Sequence, residues 1–409
     1  MGVTFESCHF LEVVMPNVKE LESALPVAPL KLVAMQSAEA LGRRVNDYLV
    51  EYRQNIHHSL KSDPAFHGYT ESSYLCSVEC PRFGSGEGKG IFYESVRGKD
   101  LYILVDVCNH SMTYQVNGYT NHMSPDDHYQ DLKRVIAAAA GKAHRINVIM
   151  PFLYEGRQHK RSGRESLDCA IALEELYSMG VSNIVTFDAH DPRVQNAVPL
   201  AGFDNFTSHY QFLRALLRNV PDLMIDKDHT VVISPDEGGL TRAVYFSGVL
   251  GIDTGMFYKR RDYSTIIGGK NPIVAHEFLG DRIDGKDVFV IDDMIASGDS
   301  ILETAKQLKE MNAKRVFLCT TFGLFTNGLK KFDHAYEHCY FDRAVITNLC
   351  YLPPEIRNKP YFLEADMSKF LASIIDFSNH DSSLNNVMTP TEKIQTILRK
   401  YNLREEIAL

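Results

Sequence analysis

The chain has 409 residues, of which 44% are apolar and 23% are charged, a balance typical of globular rather than disordered proteins. Its formal net charge of −9 argues against nucleic-acid binding, which requires a basic surface. No apolar run reaches the roughly 18–20 residues that cross a bilayer, and residues 1–6 lack the pattern of a signal peptide. We expect a soluble, cytoplasmic protein with no membrane or nucleic-acid partner.

From residue 30 onward, short apolar runs alternate with segments of helical spacing. The predicted strands are 30–35, 100–107, 146–153, 183–187, 230–233, 287–291 and 315–320. The predicted helices are 38–49, 129–140, 165–179, 212–217, 240–250 and 301–311. This alternation predicts parallel sheets with helices on both faces, which place ligands at the carboxyl ends of their strands.

Three polar stretches interrupt the alternation. Residues 53–70 are rich in His and Ser, residues 109–127 show no periodicity, and residues 379–391 lead to a final helix near 390–401. The length of the chain fits two folded units.

Eight cysteines are scattered along the chain without a Cys-x-x-Cys pair. The spacing of Cys76 and Cys80 fits neither a zinc knuckle nor a redox motif, and residues 74–83 alternate as a strand does. We therefore expect buried, reduced thiols, as in the cytosol.

Residues 288–300 carry the strongest functional signal. An apolar run ends in Asp292 and Asp293, and the turn Ala296-Ser297-Gly298 then leads into a helix. The amides and positive dipole end of such a helix bind phosphate, and paired carboxylates accept hydrogen bonds from vicinal ribose hydroxyls. An isolated acidic pair before a serine is more often a plain capped turn, but the whole arrangement favours ribose phosphate binding.

This segment resembles the phosphoribosyl-binding loop of the type I phosphoribosyltransferase fold. Six other segments resemble, in order, motifs of the ribose-phosphate diphosphokinase family. They are residues 83–87, 94–98, 151–160, 188–190, 234–239 and 258–261. Single motifs are weak evidence, but six in order are hard to obtain otherwise. The resemblance implies an α/β protein of two tandem phosphoribosyltransferase-like domains, each a mainly parallel sheet flanked by helices.

The resemblance also implies a division of the chain into four parts. Residues 1–28 form an N-terminal extension, and residues 29–205 form the domain on the ATP side, which includes the 109–127 insertion. Residues 206–380 form the domain that carries the ribose-phosphate loop, and residues 381–409 form a tail helix.

The implied reaction transfers the diphosphate of ATP to the anomeric hydroxyl of ribose 5-phosphate, giving 5-phosphoribosyl 1-diphosphate and AMP for nucleotide biosynthesis. By resemblance, ATP is bound by Phe83, Glu87, Arg157, Gln158 and His190. Since the family's loop at Phe83 reaches a neighbouring subunit, we expect a homo-oligomer built from dimers, of which a hexamer is one form.

Ribose phosphate and metal are assigned by the same resemblance. The ribose-phosphate residues are Asp292, Asp293, Ser297, Gly298, Asp299 and Ser300. Magnesium is assigned to His190 and Asp236, and catalysis to Lys259 and Arg261, which precede a polar, Gly-containing stretch at 263–271 that could close as a lid. Without the resemblance, His190 would be interpreted as a structural histidine, and Lys259 and Arg261 as solvated surface charges.

Four residues depart from the family pattern. They are Ser85, His159, Ala296 and Asp299, of which Asp299 puts an anion beside a phosphate site. Three alternatives therefore stay open. One is a phosphoribosyltransferase, which would need only one domain. Another is a diphosphokinase for a substituted ribosyl phosphate such as ADP-ribose. The third is a non-catalytic paralogue that regulates an active enzyme.

Overall fold

The protein is an α/β structure built around two parallel-dominated sheets. The computed structural model describes residues 21, 24–55, 64–261, 273–385 and 391–402. Within them, no helix is both long and apolar enough to cross a bilayer.

The first sheet has five strands, all parallel. Their spatial order is β1 (Leu30–Ala34), β4 (Asp100–Leu104), β7 (Arg145–Ile149), β8 (Asn183–Phe187) and β9 (Gly202–Phe206). Two short antiparallel pairs accompany it, β2 (Val78–Glu79) with β3 (Ile91–Phe92), and β5 (Thr113–Val116) with β6 (Tyr119–His122).

The second sheet has seven strands. Their spatial order is β12 (Ile273–Leu279), β11 (Asp253–Arg261), β10 (Thr230–Ser234), β13 (Asp287–Ile295), β14 (Arg315–Gly323), β15 (Arg343–Thr347) and β16 (Phe362–Ala365). All neighbours are parallel except β11 and β12, which form an antiparallel edge.

Helices cover both faces of each sheet, as buried parallel strands require. On the first sheet, α2 (Pro125–Ala139) and α3 (Asp168–Ser178) pack on one face, and α1 (Glu39–Asn55) and α8 (Ser368–Asn379) pack on the other. On the second sheet, α4 (His209–Asn219), α5 (Leu240–Leu250) and α9 (Thr391–Asn402) lie opposite α6 (Asp299–Glu310) and α7 (Lys330–Glu337).

Helix α8 therefore crosses from the second sheet to the first. Its carboxylate Asp376 accepts a 2.7 Å hydrogen bond from Arg53 Nε on α1, and Arg53 Nη2 donates to Asn379 Oδ1 at 2.7 Å. Arg53 is fully buried. This pairing joins α1 to α8, more than 320 residues later in the chain, on one face of the first sheet.

Several predicted elements have different bounds in the structure. The predicted strand 74–83 is reduced to the two residues of β2, because its neighbours form only the isolated bridges at Leu75 and Arg82. The 109–127 stretch is not irregular, since it holds the β5–β6 hairpin and the start of α2. Of the 53–70 stretch, residues 56–63 lie outside the described residues.

The expectation of buried thiols holds for part of the cysteines. Cys76, Cys169, Cys319 and Cys350 are buried, whereas Cys80 and Cys108 are half-buried and Cys339 is exposed. The expectation is wrong for Cys339 because it lies just after α7 in a left-handed turn at the surface (φ 57°). All seven of these thiols are free.

Candidate active site between the two sheets

The predicted acidic pair lies inside strand β13 rather than after it. The strand runs on to Ile295, and Asp292 still pairs with Thr320 of β14. Asp293 is 3% exposed and Asp292 is half-buried. The extended ladder holds both carboxylates on rigid backbone.

Asp293 bonds to the first sheet. His190, just past the carboxyl end of β8, has Nδ1 2.7 Å from Asp293 Oδ2, and Arg242 Nη2 lies 3.5 Å from the same oxygen. Burial opposes the charge of Asp293, but the hydrogen bond to His190 and the cation of Arg242 outweigh it and lower the pKa of Asp293. Asp293 is therefore an anion in this site.

The pKa of Asp292 is shifted in the opposite direction. Burial, the neighbouring charge of Asp293 and that of Asp236 raise the pKa of Asp292 well above its usual range. Asp236 follows β10, and its Oδ1 accepts from the amides of Gly238 and Gly239 at 3.0 and 3.3 Å. Three carboxylates thus share one region at the carboxyl ends of adjacent strands.

These carboxylates suit a hard divalent cation. Mg²⁺ prefers carboxylate and water oxygens, and a cation near Asp236 and Asp292 would relieve the repulsion that raises the pKa of Asp292. His190 has its Nδ1 committed to Asp293, which orients the ring and leaves Nε2 as its available ligand atom. The donor set fits a magnesium ion.

Arg242 is a site residue that the motif comparison missed. It lies on α5, and its Nη2 donates to the carbonyls of Ala189 and His190 at 3.1 Å each. It thereby holds the His190 loop of the first sheet against the second. Its place in the first turn of the helix after Gly238-Gly239, at a strand end, was the available signal.

The ribose-phosphate loop is a tight turn into α6. Gly298 has φ +85°, and a Cβ there would lie 2.5 Å from the ring of Phe332, so both conformation and space require glycine. Asp299 is the first residue of α6 and Ser300 the second, and both are exposed. The loop therefore presents the amino end of a 12-residue helix to solvent.

The carboxylate of Asp299 has two hydrogen-bond partners. Ser297 Oγ donates to Asp299 Oδ2 at 2.9 Å, and Lys331 Nζ, on α7, contacts Asp299 Oδ1. The Lys331 and Ser297 bonds lower the pKa of Asp299. The carboxylate is thus paired, but it occupies the Ser297 hydroxyl that was predicted to hold phosphate. Lys331 was missed because it lies 32 residues from Asp299 in the chain.

A cavity of about 750 Å³ opens beside His190, within the size range of small-ligand sites, about 300–1,000 Å³. Residues after β8 line one wall and residues of α5 the other. Its lining includes His159, Lys160, Arg193, Gly238, Arg242 and Tyr245. His159, a departure from the family pattern, lies in this cavity with Nε2 3.4 Å from Asp191 Oδ2.

Arg157 and Gln158 lie at the edge of this region. Arg157 lines a narrow cleft with His190 and Asp293. The Gln158 amide donates to the carbonyls of Lys160 and Ser166 at 3.3 and 2.8 Å, so it shapes the loop that borders the cavity.

Two of the predicted ATP-binding residues, Phe83 and Glu87, are not brought to this site. Phe83 is 54% exposed, on a turn that ends at Glu87, whose carboxylate accepts from Ser85. The turn contacts the β5–β6 hairpin, where the amide of Asn117 donates to Gly84. Neither Phe83 nor Glu87 lines the 750 Å³ cavity.

The predicted catalytic cations are described by their backbone alone. Lys259 and Arg261 lie at the end of β11, opposite His276 and Ile273 of β12, with a register shift between Arg260 and Arg261. The predicted lid, 263–271, lies outside the described residues.

Comparison with known proteins gives two adjacent family matches. Residues 30–180 match the N-terminal domain of ribose phosphate pyrophosphokinase, and residues 207–346 match the phosphoribosyl transferase domain. These are the two phosphoribosyltransferase-like domains predicted from the sequence.

Named relatives agree with these matches. The chain is 29% identical to the ribose-phosphate pyrophosphokinase of Pasteurella multocida over 75% of this chain and 90% of that one. It is 31% identical to the one from Corynebacterium efficiens over 60% and 69%. The fold is similar to that of the phosphoribosylpyrophosphate synthetase of Mycobacterium smegmatis, with a TM-score of 0.64 and 21% identity, over 86% of this chain and 99% of that one. The chain belongs to the ribose-phosphate pyrophosphokinase family.

Proposed function

We propose that this protein transfers the diphosphate of ATP to the anomeric hydroxyl of ribose 5-phosphate, producing 5-phosphoribosyl 1-diphosphate and AMP. The observation that carries the proposal is the bond between His190 of the first sheet and Asp293 of the second. It brings the expected ATP side and the ribose-phosphate loop into one cleft, in a chain whose relatives are named for this activity.

Ribose 5-phosphate lies along β13 and the start of α6. The anionic Asp293 and its neighbour Asp292 accept hydrogen bonds from the ribose hydroxyls. The 5-phosphate lies against the turn at Gly298, where the helix dipole favours an anion. Binding at the ribose hydroxyls and at the 5-phosphate fixes the position of the anomeric oxygen relative to the first sheet. This reduces the entropic cost of the reaction.

ATP occupies the 750 Å³ cavity. Arg157, Lys160 and Arg242 supply positive charge near His190, with Arg242 fixed by its two backbone acceptors. Phe83 and Glu87 are exposed and apart from this cavity, which fits the proposal that they bind adenine in a neighbouring subunit of a homo-oligomer.

The diphosphate is transferred in a single displacement at the β-phosphorus of ATP. The anomeric hydroxyl gives its proton to solvent as its oxygen bonds to the β-phosphorus of ATP, the bond from that phosphorus to the oxygen shared with the α-phosphate breaks, and AMP leaves. Magnesium held by His190 and Asp236 neutralises phosphate charge when bound. Lys259 and Arg261 stabilise the equatorial oxygens, and their carboxyl-terminal position on β11 precedes the expected lid.

The proposal is tested by AMP release from ATP and Mg²⁺ with and without ribose 5-phosphate. We expect release only with the sugar phosphate, and a loss of at least about a hundredfold in Lys259→Ala, the order for a transition-state charge contact. Lys309→Ala, at the end of α6, is the matched control and should keep full rate. Equal release without ribose 5-phosphate would contradict the proposal.

A second acceptor is favoured by one observation. Asp299 takes up the Ser297 hydroxyl, so the turn offers fewer donors to a dianionic phosphate and suits one with less charge, as in ADP-ribose. A parallel reaction with ADP-ribose separates the two. AMP formation with ADP-ribose alone would assign this substituted acceptor, and none with either would favour a regulatory paralogue.

A further inference from the structure

A second cluster of ligating side chains lies between the two sheets. Asp106 and Cys108 are on the loop after β4, and Cys350 is on the loop after β15. One carboxylate oxygen and the two sulfurs lie within 4.8 Å of one another. The three ligands therefore come from both sheets, from chain positions more than 240 residues apart.

The carboxylate of Asp106 is buried without a cation. It is 3% exposed, and its oxygens accept from two neutral amides, of Cys108 at 2.8 Å and of Tyr351 at 2.6 Å. Across the described residues, no Lys, Arg or His reaches Asp106 within 4.0 Å. A buried carboxylate is costly unless a cation compensates it.

The nearest guanidinium groups are already paired. Arg44 and Arg357 line a cavity of about 250 Å³ together with Asp106 and Cys350. Arg44 bonds Glu364 and Asp366 at 2.8 and 2.7 Å, and Arg357 bonds Glu364 at 2.5 Å. Neither is therefore the missing counter-charge, and the cavity gives access and room for water.

We propose that Asp106, Cys108 and Cys350 bind a thiophilic divalent cation of the Zn²⁺ class. Two thiolates and a carboxylate are common zinc ligands, and a water from the adjoining cavity completes a tetrahedral shell. Binding releases the two thiol protons to solvent. Because the ligands lie on loops that follow strands of both sheets, the ion links one sheet to the other. It takes no part in the reaction at His190.

The test is a Co²⁺ titration of the full-length, chelator-treated protein under reducing conditions. We expect saturation at one Co²⁺ per chain, with a sulfur-to-cobalt charge-transfer band, the absorption of a tetrahedral site, and displacement of both by one equivalent of Zn²⁺. The melting temperature should rise on Zn²⁺ addition, since the ion binds only the folded chain.

Variants locate the ion. Cys108→Ser and Cys350→Ser should each lose the charge-transfer band, whereas Cys339→Ser, which changes the exposed thiol after α7, should keep it. The proposal is overturned if the unaltered protein gives no thiolate band or if the band survives in both serine variants. It is also overturned if Cys108 and Cys350 form a disulfide that reductant does not open. The Co²⁺ titration of the unaltered protein tests the proposal even if a variant does not fold.

Discussion

At the residue scale, the departures from the family pattern have structural partners. An unpaired Asp299 carboxylate beside the turn would repel a phosphate, but Ser297 and Lys331 both donate hydrogen bonds to it. Lys331 is then a cation at the rim of the proposed phosphate site. We expect that Lys331 and the Ser297 hydroxyl exchange the carboxylate of Asp299 for a bound phosphate.

Lys331→Ala should raise the KM for ribose 5-phosphate about tenfold, the order for one charge-assisted hydrogen bond, with a smaller change in kcat. Asp299→Gly should lower that KM, and in its presence Lys331→Ala should cost less. Steady-state kinetics of both single variants and the double variant measure this coupling. Additive effects would show that the two side chains act independently.

Arg242→Ala should lower kcat/KM for ATP by at least about tenfold, because the His190 loop loses its tie to α5 and Asp293 loses a cation. Arg218→Ala, on an exposed part of α4, is the control. Initial rates at saturating ribose 5-phosphate measure this change. An unchanged kcat/KM for ATP would show that Arg242 does not act in the site.

At the element scale, Gly298→Ala tests the turn before α6. It should lower the free energy of unfolding by more than about 1 kcal/mol, because alanine is strained at positive φ and its Cβ meets Phe332. Gly248→Ala, inside α5 with open space around it, should be neutral or stabilising by up to about 1 kcal/mol. Urea unfolding compares them, and equal effects would contradict the strained turn.

The buried histidine at the start of α4, His209, should make the stability of the protein depend on pH. His209 is 1% exposed and packs on Phe246, and its burial lowers its pKa. Below about pH 6.5 the unfolded chain therefore binds a proton that the folded chain resists, so stability should fall on acidification. His209→Phe should reduce the loss between pH 7.5 and 5.5, while His338→Phe, at an exposed position, should not. Urea midpoints at both pH values measure it.

Elements with a strong local pattern were predictable and others were not. The strand Asn183–Phe187 and the helix Leu240–Leu250 have the predicted bounds, because each is apolar and bounded by turn residues. The β5–β6 hairpin was missed, since its half-exposed strands carry polar side chains without a buried face. The Asp292–Asp293 motif was found in sequence because its residues are consecutive.

At the scale of the whole molecule, long-range contacts fix the geometry of the cleft. Helix α8 follows the second sheet in the chain yet packs on the first, through a bond that joins Arg53 and Asp376 across 323 positions. No local pattern encodes such a pairing. The same holds for the Asp188–Thr321 bond and for Arg242, which join the two sheets at the site.

Asp376→Ala should destabilise the protein by about 3–5 kcal/mol, since it leaves the Arg53 charge buried and unpaired. Replacing both partners, as in Arg53→Met with Asp376→Leu, should cost less than the single change. Chemical unfolding of the three proteins measures this. A double variant less stable than Asp376→Ala would contradict a contribution from the unpaired charge.

The most direct test of the central claim follows the β-phosphate. The protein is incubated with Mg²⁺, ribose 5-phosphate and ATP labelled at the β-phosphorus, and the products are separated. We expect label in the 1-diphosphate of the phosphoribosyl product and none in AMP. Label found only in inorganic phosphate, in free diphosphate or in ADP would contradict diphosphate transfer to the anomeric oxygen.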